Sequence, residues 1–188
     1  MLCGKKKKNN DNVMVRKYLL EKDKTKTAKG DKTPKDKETG LPKKYVPSSL
    51  TKSQKAKQVK SIKEGKNRPK LEGVKTRKSK WTTKAEKYFK GNTSKSNIAK
   101  TLGVSYKGLD EIVKKGEGAY YSSGSRPNQT GHSWGYARMA SAITSGKSAA
   151  VDYNILKEGC KPNSKALKLA NKSRKKHKFG QRKVPKTI

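Results

Sequence analysis

The sequence predicts an all-α protein: a small helical domain with long basic N- and C-terminal arms that are extended or disordered. Apolar residues recur at helical spacing in its central part, and no stretch shows a convincing run of alternating apolar and polar residues. Only 29% of the 188 residues are hydrophobic, while 34% are charged. Ordering each residue costs about 1–2 kcal/mol of conformational entropy, so this composition cannot fold the whole chain. Part of the chain is therefore predicted to lie outside the core.

The charge of the chain is strongly positive and unevenly distributed. Fifty Lys and Arg stand against 14 Asp and Glu, a formal net charge of +36. Residues 1–44 carry +9, residues 45–90 carry +12, residues 91–160 carry +4 and residues 161–188 carry +11. Such an excess repels itself and binds polyanions. We expect a nucleic acid, an anionic membrane surface or an acidic protein surface as the partner.

Residues 1–44 have the composition of a basic low-complexity arm. An apolar island within NVMVRKYLL interrupts it. We predict that this island is a partner anchor, which docks into a groove on another protein through Val13, Val15, Tyr18 and Leu19. The alternative is a chance apolar cluster with no partner.

Residues 45–80 are predicted to form a basic helix followed by a linker. In SSLTKSQKAKQVKSIKEG, Ser49 or Thr51 is placed to cap the helix, Val59 and Ile62 belong to a thin apolar face, and Gly65 ends it. The other faces are almost entirely lysine, so we expect this helix to lie on another surface. The sequence RPKLEGVKTRKSK that follows is typical of an extended basic linker.

Residues 81–160 are the predicted helical domain, because apolar residues recur there at helical spacing between short polar segments. The predicted helices run from Trp81 to Phe89, from Thr93 or Ser94 to Gly103, through Leu109 to Gly116, from Thr130 to Ile143 and from Ser145 to Gly159. A glycine- and serine-rich loop separates the third helix from the fourth.

Residues 161–188 are predicted to be a basic C-terminal tail, with 11 basic residues and no acidic one. Asn163 or Ser164 is placed to begin a helix through ALKLANKSRKKHK, with a mobile end unless it is bound. The basic cluster is typical of a nuclear localisation signal or a phosphate-binding tail. Polyanion contacts are predicted for Lys52, Lys55, Lys60, Lys63, Arg68, Arg77, Lys172, Arg174, Lys175, Lys176 and Lys178.

The segment NIAKTLGVSYKGLDEI fits a helix-turn-helix template, with Gly103 permitting the turn. In that interpretation Ser105, Tyr106, Lys107 and Lys114 face the groove of DNA. Asp110 and Glu111 count against this interpretation, because their carboxylates would lie close to the phosphates. The alternative is a helical hairpin that uses the same turn only for packing.

The stretch GEGAYYSSGSRPNQTGHSWGYARMAS contains aromatic and arginine residues in a combination that is unusual for a tail. We predict a recognition surface for phosphate or an acidic partner, formed by Tyr120, Tyr121, Arg126, Trp134 and Arg138. In this arrangement Arg138 stacks on Trp134, and Arg126 bonds helix-end carbonyls or a carboxylate. The alternative is that these residues lock the loop to the domain.

The chemistry of a catalytic or metal site is not indicated. The GKS at Gly146 fails the phosphate-loop spacing, because Ser141 stands where glycine is required. His132 and His177 lack further ligands in register, and Cys3 and Cys160 show no zinc spacing. We therefore predict no enzymatic activity, no cofactor, no metal and no small-molecule substrate.

Targeting signals are also not indicated. The apolar runs all fall short of the ~20 residues that span a bilayer. The basic start MLCGKKKK is not followed by an apolar segment, so we expect no secretory signal.

Three segments carry a resemblance to a known family: YVPSSLTKSQKAKQVKSIKEGKNRPKL, KKGEGAYYSSGSRPNQTGHSWGYARMAS and AVDYNIL. Over residues 45–160 the chain resembles an uncharacterised domain of giant algal viruses and other large DNA viruses. The resemblance implies a viral origin and a structural protein of the virion, and it carries over no catalytic residues.

The first functional hypothesis is a minor capsid or internal scaffold protein of the virion, whose basic arms bind acidic capsid surfaces, membrane or genome. Its expected locations are the capsid or the particle interior, and the host cytoplasm or nucleus during assembly. The alternative is a viral DNA-binding or DNA-packaging protein with a helix-turn-helix-like domain.

Overall fold

A computed structural model describes residues 34–177 of the 188-residue chain. Eight helices occupy this part: α1 Lys52–Lys63, α2 Lys80–Tyr88, α3 Lys95–Leu102, α4 Tyr106–Ser123, α5 Gly131–Ile143, α6 Lys147–Val151, α7 Tyr153–Gly159 and α8 Lys165–Lys176. No strand occurs between residues 34 and 177, where the β pairing consists of two isolated bridges, Lys35–Pro42 and Val104–Cys160. The all-α prediction is confirmed for this part. The predicted anchor residues Val13, Val15, Tyr18 and Leu19, and Lys178, lie outside it.

Among the described helices, none is both long enough and apolar enough to cross a membrane.

Side-chain caps fix where most of the helices begin. The residues that accept a hydrogen bond from the first turn are Thr51, Ser79, Ser94, Ser105, Thr130 and Ser164. A hydroxyl at this position satisfies a backbone N–H that has no partner within the helix. At three starts where two caps were possible, the structure selects Thr51, Ser94 and Ser164.

Two of the predicted helix boundaries are wrong. The third predicted helix does not close at Gly116 but continues to Ser123, because Gly116 is a close packing point and not a helix end. The segment predicted as one helix from Ser145 to Gly159 divides into α6 and α7 at Asp152. Asp152 leaves helical geometry there and turns its buried carboxylate towards Arg138.

The main core lies between α4 and α5 and is completed by residues of the other helices from α2 to α8. Its largest fully buried side chains are Ile98, Leu102, Leu109, Ile112, Met139, Ile143 and Leu156. Ala166 and Ala170 of α8 also belong to it. The helical domain therefore extends past residue 160, because α8 packs its alanine face on the core and is not a free tail.

A second, smaller cluster holds residues 34–50 against α1. Leu41, Tyr45 and Val46 pack with Ile62, and the ring of Tyr45 meets that of Trp134 edge-on at 6.3 Å. The described end of the predicted N-terminal arm is therefore packed on the domain, because its few apolar residues cover the thin apolar face of α1.

The crossing of α4 and α5 depends on two glycines. A Cβ added to Gly116 would lie 2.6 Å from the Cα of Gly135, and one added to Gly135 would lie 2.7 Å from the carbonyl oxygen of Val113. Backbone atoms meet directly at this point, so no side chain fits between the helices.

Gly116→Ala is expected to lower the free energy of unfolding by about 1–3 kcal/mol, because the added methyl forces α4 and α5 apart. Gly118→Ala is the matched control: it lies in the same helix, and a Cβ there meets nothing within 4 Å. The control is expected to raise stability by about 0.5–1 kcal/mol through helix propensity. Urea unfolding of both variants measures the difference, and equal effects of the two substitutions would contradict the close crossing.

Candidate polyanion-binding surface

The helix α8 is attached to the core along one face. Ala166 and Ala170 are buried among the core residues, and Ser173 is fully buried on the same face. The hydroxyl of Ser173 donates to the carbonyl oxygen of Gly146 at 2.6 Å. This combination of apolar contact and a buried hydrogen bond fixes the rotation of α8 about its axis.

The opposite face of α8 is a row of lysines. Lys165, Lys168, Lys172 and Lys175, here called the α8 row, stand at positions i, i+3, i+7 and i+10 and are all exposed. They therefore share one face of the helix, over about 15 Å at a rise of 1.5 Å per residue. None of the four forms an ion pair with any residue of the described part.

Near the end of α8 the lysines are exposed, whereas the arginine packs on the domain. Lys172, Lys175 and Lys176, all predicted polyanion contacts, are exposed. Arg174 instead lies over the ring of Tyr153, with its guanidinium carbon 4.2 Å from the ring centre. Arg174 therefore faces the domain, where it stacks on an aromatic ring.

The helix α1 presents a second group of lysines. Lys52, Lys60 and Lys63 are exposed, as predicted for polyanion contacts, and so is Lys57. These lysines lie on the face of α1 opposite the buried Gln58, Ser61 and Ile62. Arg77 is exposed in the linker that follows.

Lys55, a predicted polyanion contact, is instead paired with two carboxylates of the domain. Its Nζ lies 3.2 Å from the carboxylate of Asp36 and 2.5 Å from that of Glu38. The hydrogen bond to Glu38 is the main cause of its raised pKa. The side-chain and backbone hydrogen bonds from Thr39 are the main reasons that the pKa of Asp36 falls to about 2, and Lys55 adds to them. Lys55 therefore ties residues 34–50 to α1.

Arg68 is the clearest correction to the predicted polyanion contacts, because it is 8% exposed. Its guanidinium donates to the hydroxyl of Ser125 at 3.1 Å and to the carbonyl oxygens of Ser61 at 2.9 Å and Tyr120 at 2.7 Å. It also donates to the carbonyl oxygen of Lys66 and lies over the ring of Tyr120. Burial lowers the pKa of Arg68, while the neighbouring tyrosines oppose that shift. The guanidinium N–H groups of Arg68 are therefore used in hydrogen bonds within the domain.

Of the five residues of the predicted recognition surface, one is buried, two are partly buried and two are exposed. Tyr120 is fully buried, and its hydroxyl donates to the carbonyl oxygen of Gln129 at 3.0 Å and accepts from the backbone N–H of Arg68 at 2.8 Å. Tyr121 remains 40% exposed, and Arg126 is exposed. The interaction with helix-end carbonyls that was predicted for Arg126 is made by Arg68. Arg68 lies in the linker, more than fifty residues before Tyr120, so no local sequence pattern indicated that it would bond these carbonyls.

Arg138 does not stack on Trp134 as predicted. Its Nε and Nη2 donate to the two carboxylate oxygens of Asp152, each at 2.7 Å, and this carboxylate is fully buried. Trp134 packs against Tyr45. The bidentate pair satisfies a charge that is expensive to bury alone. The geometry favours the alternative interpretation, in which these residues lock the loop and the helices together.

The segment predicted as a helix-turn-helix or a helical hairpin forms α3, a turn and α4. Gly103 adopts the left-handed conformation at φ +68°, and Ser105 caps α4. Tyr106 is 54% exposed, and Lys107 is exposed beside it. The turn also has a packing role, because the N–H of Ser105 donates to the carbonyl oxygen of Gly159 at 2.6 Å.

The charge of Asp110 is balanced within the domain. Its carboxylate lies 2.5 Å from Lys95 Nζ and 3.0 Å from Lys114 Nζ. These hydrogen bonds, that of Lys95 first, lower the pKa of Asp110. The neighbouring Glu111 is exposed.

A cleft of about 440 Å³ lies beside the buried Tyr120. Asn67, Glu117, Tyr121 and His132 line part of it, and His132 Nδ1 lies 3.7 Å from a carboxylate oxygen of Glu117. Between residues 34 and 177 no group of three or more His, Cys, Asp and Glu side chains is placed to hold a metal ion.

The fold and these surfaces together define a small all-α domain with lysine-rich outer faces. Residues 42–165 match the DUF5824 family, a family of unknown function, and the match covers well over half of the chain. The chain belongs to this family. No curated protein and no solved structure matches it. The matched range includes α1 to α7 and ends at the first residue of α8.

Arg68→Lys is expected to lower the free energy of unfolding by about 2–4 kcal/mol, because one ammonium group cannot replace the planar fork and buried acceptors lose their donors. Arg77→Lys is the matched control, since Arg77 is exposed in the same linker. Urea unfolding is expected to show a change within about 0.5 kcal/mol for the control. Indistinguishable midpoints for the two variants would show that Arg68 does not hold the linker in place.

Proposed function

We propose that this protein is a structural, non-enzymatic protein of a virus particle, a minor capsid or internal scaffold protein. Its lysine-rich surfaces hold an anionic component of the particle, which is an acidic capsid surface, a membrane or the genome. The viral setting is supported by the sequence resemblance over residues 45–160. The interaction is supported by the charge of the folded domain.

The single observation that carries the proposal is uncompensated charge on an ordered surface. Residues 34–177 contain 35 Lys and Arg and 10 Asp and Glu, a net charge of +25. Even if every acid in this range neutralises one base, 25 positive charges remain. Residues 1–33 add a net +7 and residues 178–188 a net +4, so the rest of the chain cannot balance them.

The buried interactions of the fold use few of these charges. Arg68 is buried in the hydrogen-bond cluster around Tyr120, and Arg138 is bonded to Asp152. The α8 row and the exposed lysines of α1 contribute no ion pair within the described part of the chain. Like charges within a Debye length of about 8–10 Å repel one another, and a bound polyanion removes that cost.

Purified particles of the source virus are expected to contain the protein at a fixed copy number that survives nuclease and high-salt washing. Ordinary contaminating basic proteins bind through phosphates and leave as counterions compete. Quantitative mass spectrometry of washed particles measures the copy number. Lysine cross-linking within residues 52–80 then identifies coat protein, lipid or nucleic acid as the neighbour. Absence of the protein from washed particles would contradict the structural assignment.

A second candidate function is DNA binding or packaging through α3 and α4. The observation that favours it is the outward position of Tyr106 and Lys107 at the start of α4, beside an Asp110 whose charge Lys95 and Lys114 balance. In helix-turn-helix proteins the start of the second helix contacts base edges.

Under this second function, Lys107→Gln is expected to weaken binding to a preferred duplex by about 1–3 kcal/mol and to relax its sequence preference. Selection from a random duplex pool, followed by fluorescence anisotropy, measures both. Lys87→Gln serves as the control, because Lys87 is an exposed lysine on α2. If both variants select the same sequences with the same affinity, α4 does not read base edges.

A further inference from the structure

We propose that the α8 row binds the phosphate backbone of double-stranded nucleic acid without sequence selectivity. This inference rests on the proposed function in one respect, since both require an anionic partner. It goes further by naming the surface and the chemistry of the ligand.

The row is presented by a rigid element. Ser173 is hydrogen-bonded to Gly146, the hydroxyl of Tyr153 donates to Asn171 at 2.8 Å, and the hydroxyl of Ser145 donates to the carbonyl oxygen of Leu169 at 3.1 Å. These bonds distribute the attachment of α8 along its length. A surface that is ordered before binding loses less conformational entropy than a tail that must be ordered by its ligand.

The dimensions of the row fit a duplex. The axial separations of its lysines are about 4.5, 6.0 and 4.5 Å, which sum to about 15 Å. A duplex carries one charge for about every 1.7 Å of its axis, counted over both strands, so a length of about 15 Å presents more phosphates than the row has lysines. Lysine side chains are flexible, so each of the four ammonium groups can reach a phosphate without a change in the helix.

The acidic residues are distant in sequence from the row. The nearest one upstream is Glu158 on α7, and no Asp or Glu follows it up to residue 188. Carboxylates on a binding face repel phosphates and lower affinity. The row therefore has no acidic residue of its own segment to compete with a ligand.

The chemistry of the row favours backbone contact over base reading. Lysine is a flexible point charge that binds phosphate well and lacks the planar fork that arginine offers to guanine. The exposed polar neighbour Asn171 already accepts a hydrogen bond from Tyr153. Contacts of this kind position a protein on a duplex and carry no sequence information.

Two other anionic partners fit the row less well. A membrane-surface helix inserts its apolar face among lipids, whereas Ala166 and Ala170 on the apolar face of α8 are buried in the core. Protein interfaces depend on buried aromatic or arginine anchors. The exposed residues of α8 are Lys165, Lys168, Asn171, Lys172, Lys175 and Lys176, which include neither.

The lysine-bearing surface continues beyond the helix. The backbone N–H of Lys161 donates to the carbonyl oxygen of Gly103 at 3.1 Å, and the side chain of Ser164 packs against Gly103. The start of α8 thus abuts the α3–α4 turn, with Lys107 four residues further along. Lys107 and Lys161 are both exposed, and a duplex along the row that reaches this turn would contact them as well.

The test compares two variants of the full chain with the same change in charge. The row variant carries Lys165→Gln, Lys168→Gln, Lys172→Gln and Lys175→Gln. The control variant carries Lys35→Gln, Lys37→Gln, Lys43→Gln and Lys70→Gln, which are also exposed. Glutamine has nearly the helix propensity of lysine, so circular dichroism is expected to stay unchanged. Both variants lose four positive charges, so reduced repulsion is expected to raise the unfolding midpoint of both to a similar extent.

Affinity for a mixed-sequence duplex of about 20 base pairs is measured by anisotropy over a range of salt concentrations. The slope of log K against log salt changes by about 0.9 for each phosphate contact, so the row variant is expected to lose about 3 to 4 units of slope. The control is expected to lose less than about 1, since its lysines form no row. A Lys→Arg version of the row is expected to restore the slope.

Equal slopes for the row and control variants would overturn the inference, because net charge alone would then explain binding. It would also be overturned if polyglutamate of the same charge showed the same dependence on the row. If the wild-type chain ignores the duplex at about 0.15 M salt but is present in washed particles, the inference fails and the proposed function stands. If duplex binding depends on the row but the protein is absent from washed particles, the inference stands and the proposed function fails.

Discussion

Mutual repulsion among basic side chains is the constraint under which this domain has to be stable. The described part of the chain carries a net charge of +25 over residues 34–177. The core is compatible with this net charge because nearly all the charged side chains lie at the surface of the domain and not among the core residues. Within these residues, Arg68 and Asp152 are the buried charged side chains, and each is bonded to named partners. Arg68 joins the linker to α4, and Asp152 joins the α6–α7 junction to α5. The fold therefore uses its buried ionic groups to hold segments together and leaves its lysine-rich faces exposed.

Local signals in the sequence predicted much of the fold. Hydroxyl caps at Thr51, Ser94 and Thr130 and the left-handed Gly103 are recognisable without tertiary information, because each satisfies a requirement of its own helix. Gly116 shows the limit of that reasoning. A glycine followed by a polar residue indicates a helix end, but the real reason for this glycine is a backbone contact with Gly135, about twenty residues along the chain.

The candidate site was harder to predict, since exposure depends on the tertiary structure. Lysines of α1 and α8 could be named from charge alone, but the sequence did not distinguish them from Arg68 and Lys55, which the fold uses internally. The attachment of the segment after residue 160 was equally hard to predict. Alanine and serine give a weak hydrophobic pattern, so the packing face formed by Ala166, Ala170 and Ser173 was not evident before the structure.

The response of stability to ionic strength tests the central claim most directly, namely that the folded domain carries positive charge which nothing in the chain balances. Raising NaCl from about 0.01 M to about 0.15 M shortens the Debye length from about 30 Å to about 8 Å. Because the compact state holds its charges closer together than the unfolded chain does, screening should favour folding. We predict that the thermal unfolding midpoint of the wild-type chain rises over this range. A midpoint that stays constant or falls would show that the domain balances its own charge, and would remove the reason for an anionic partner.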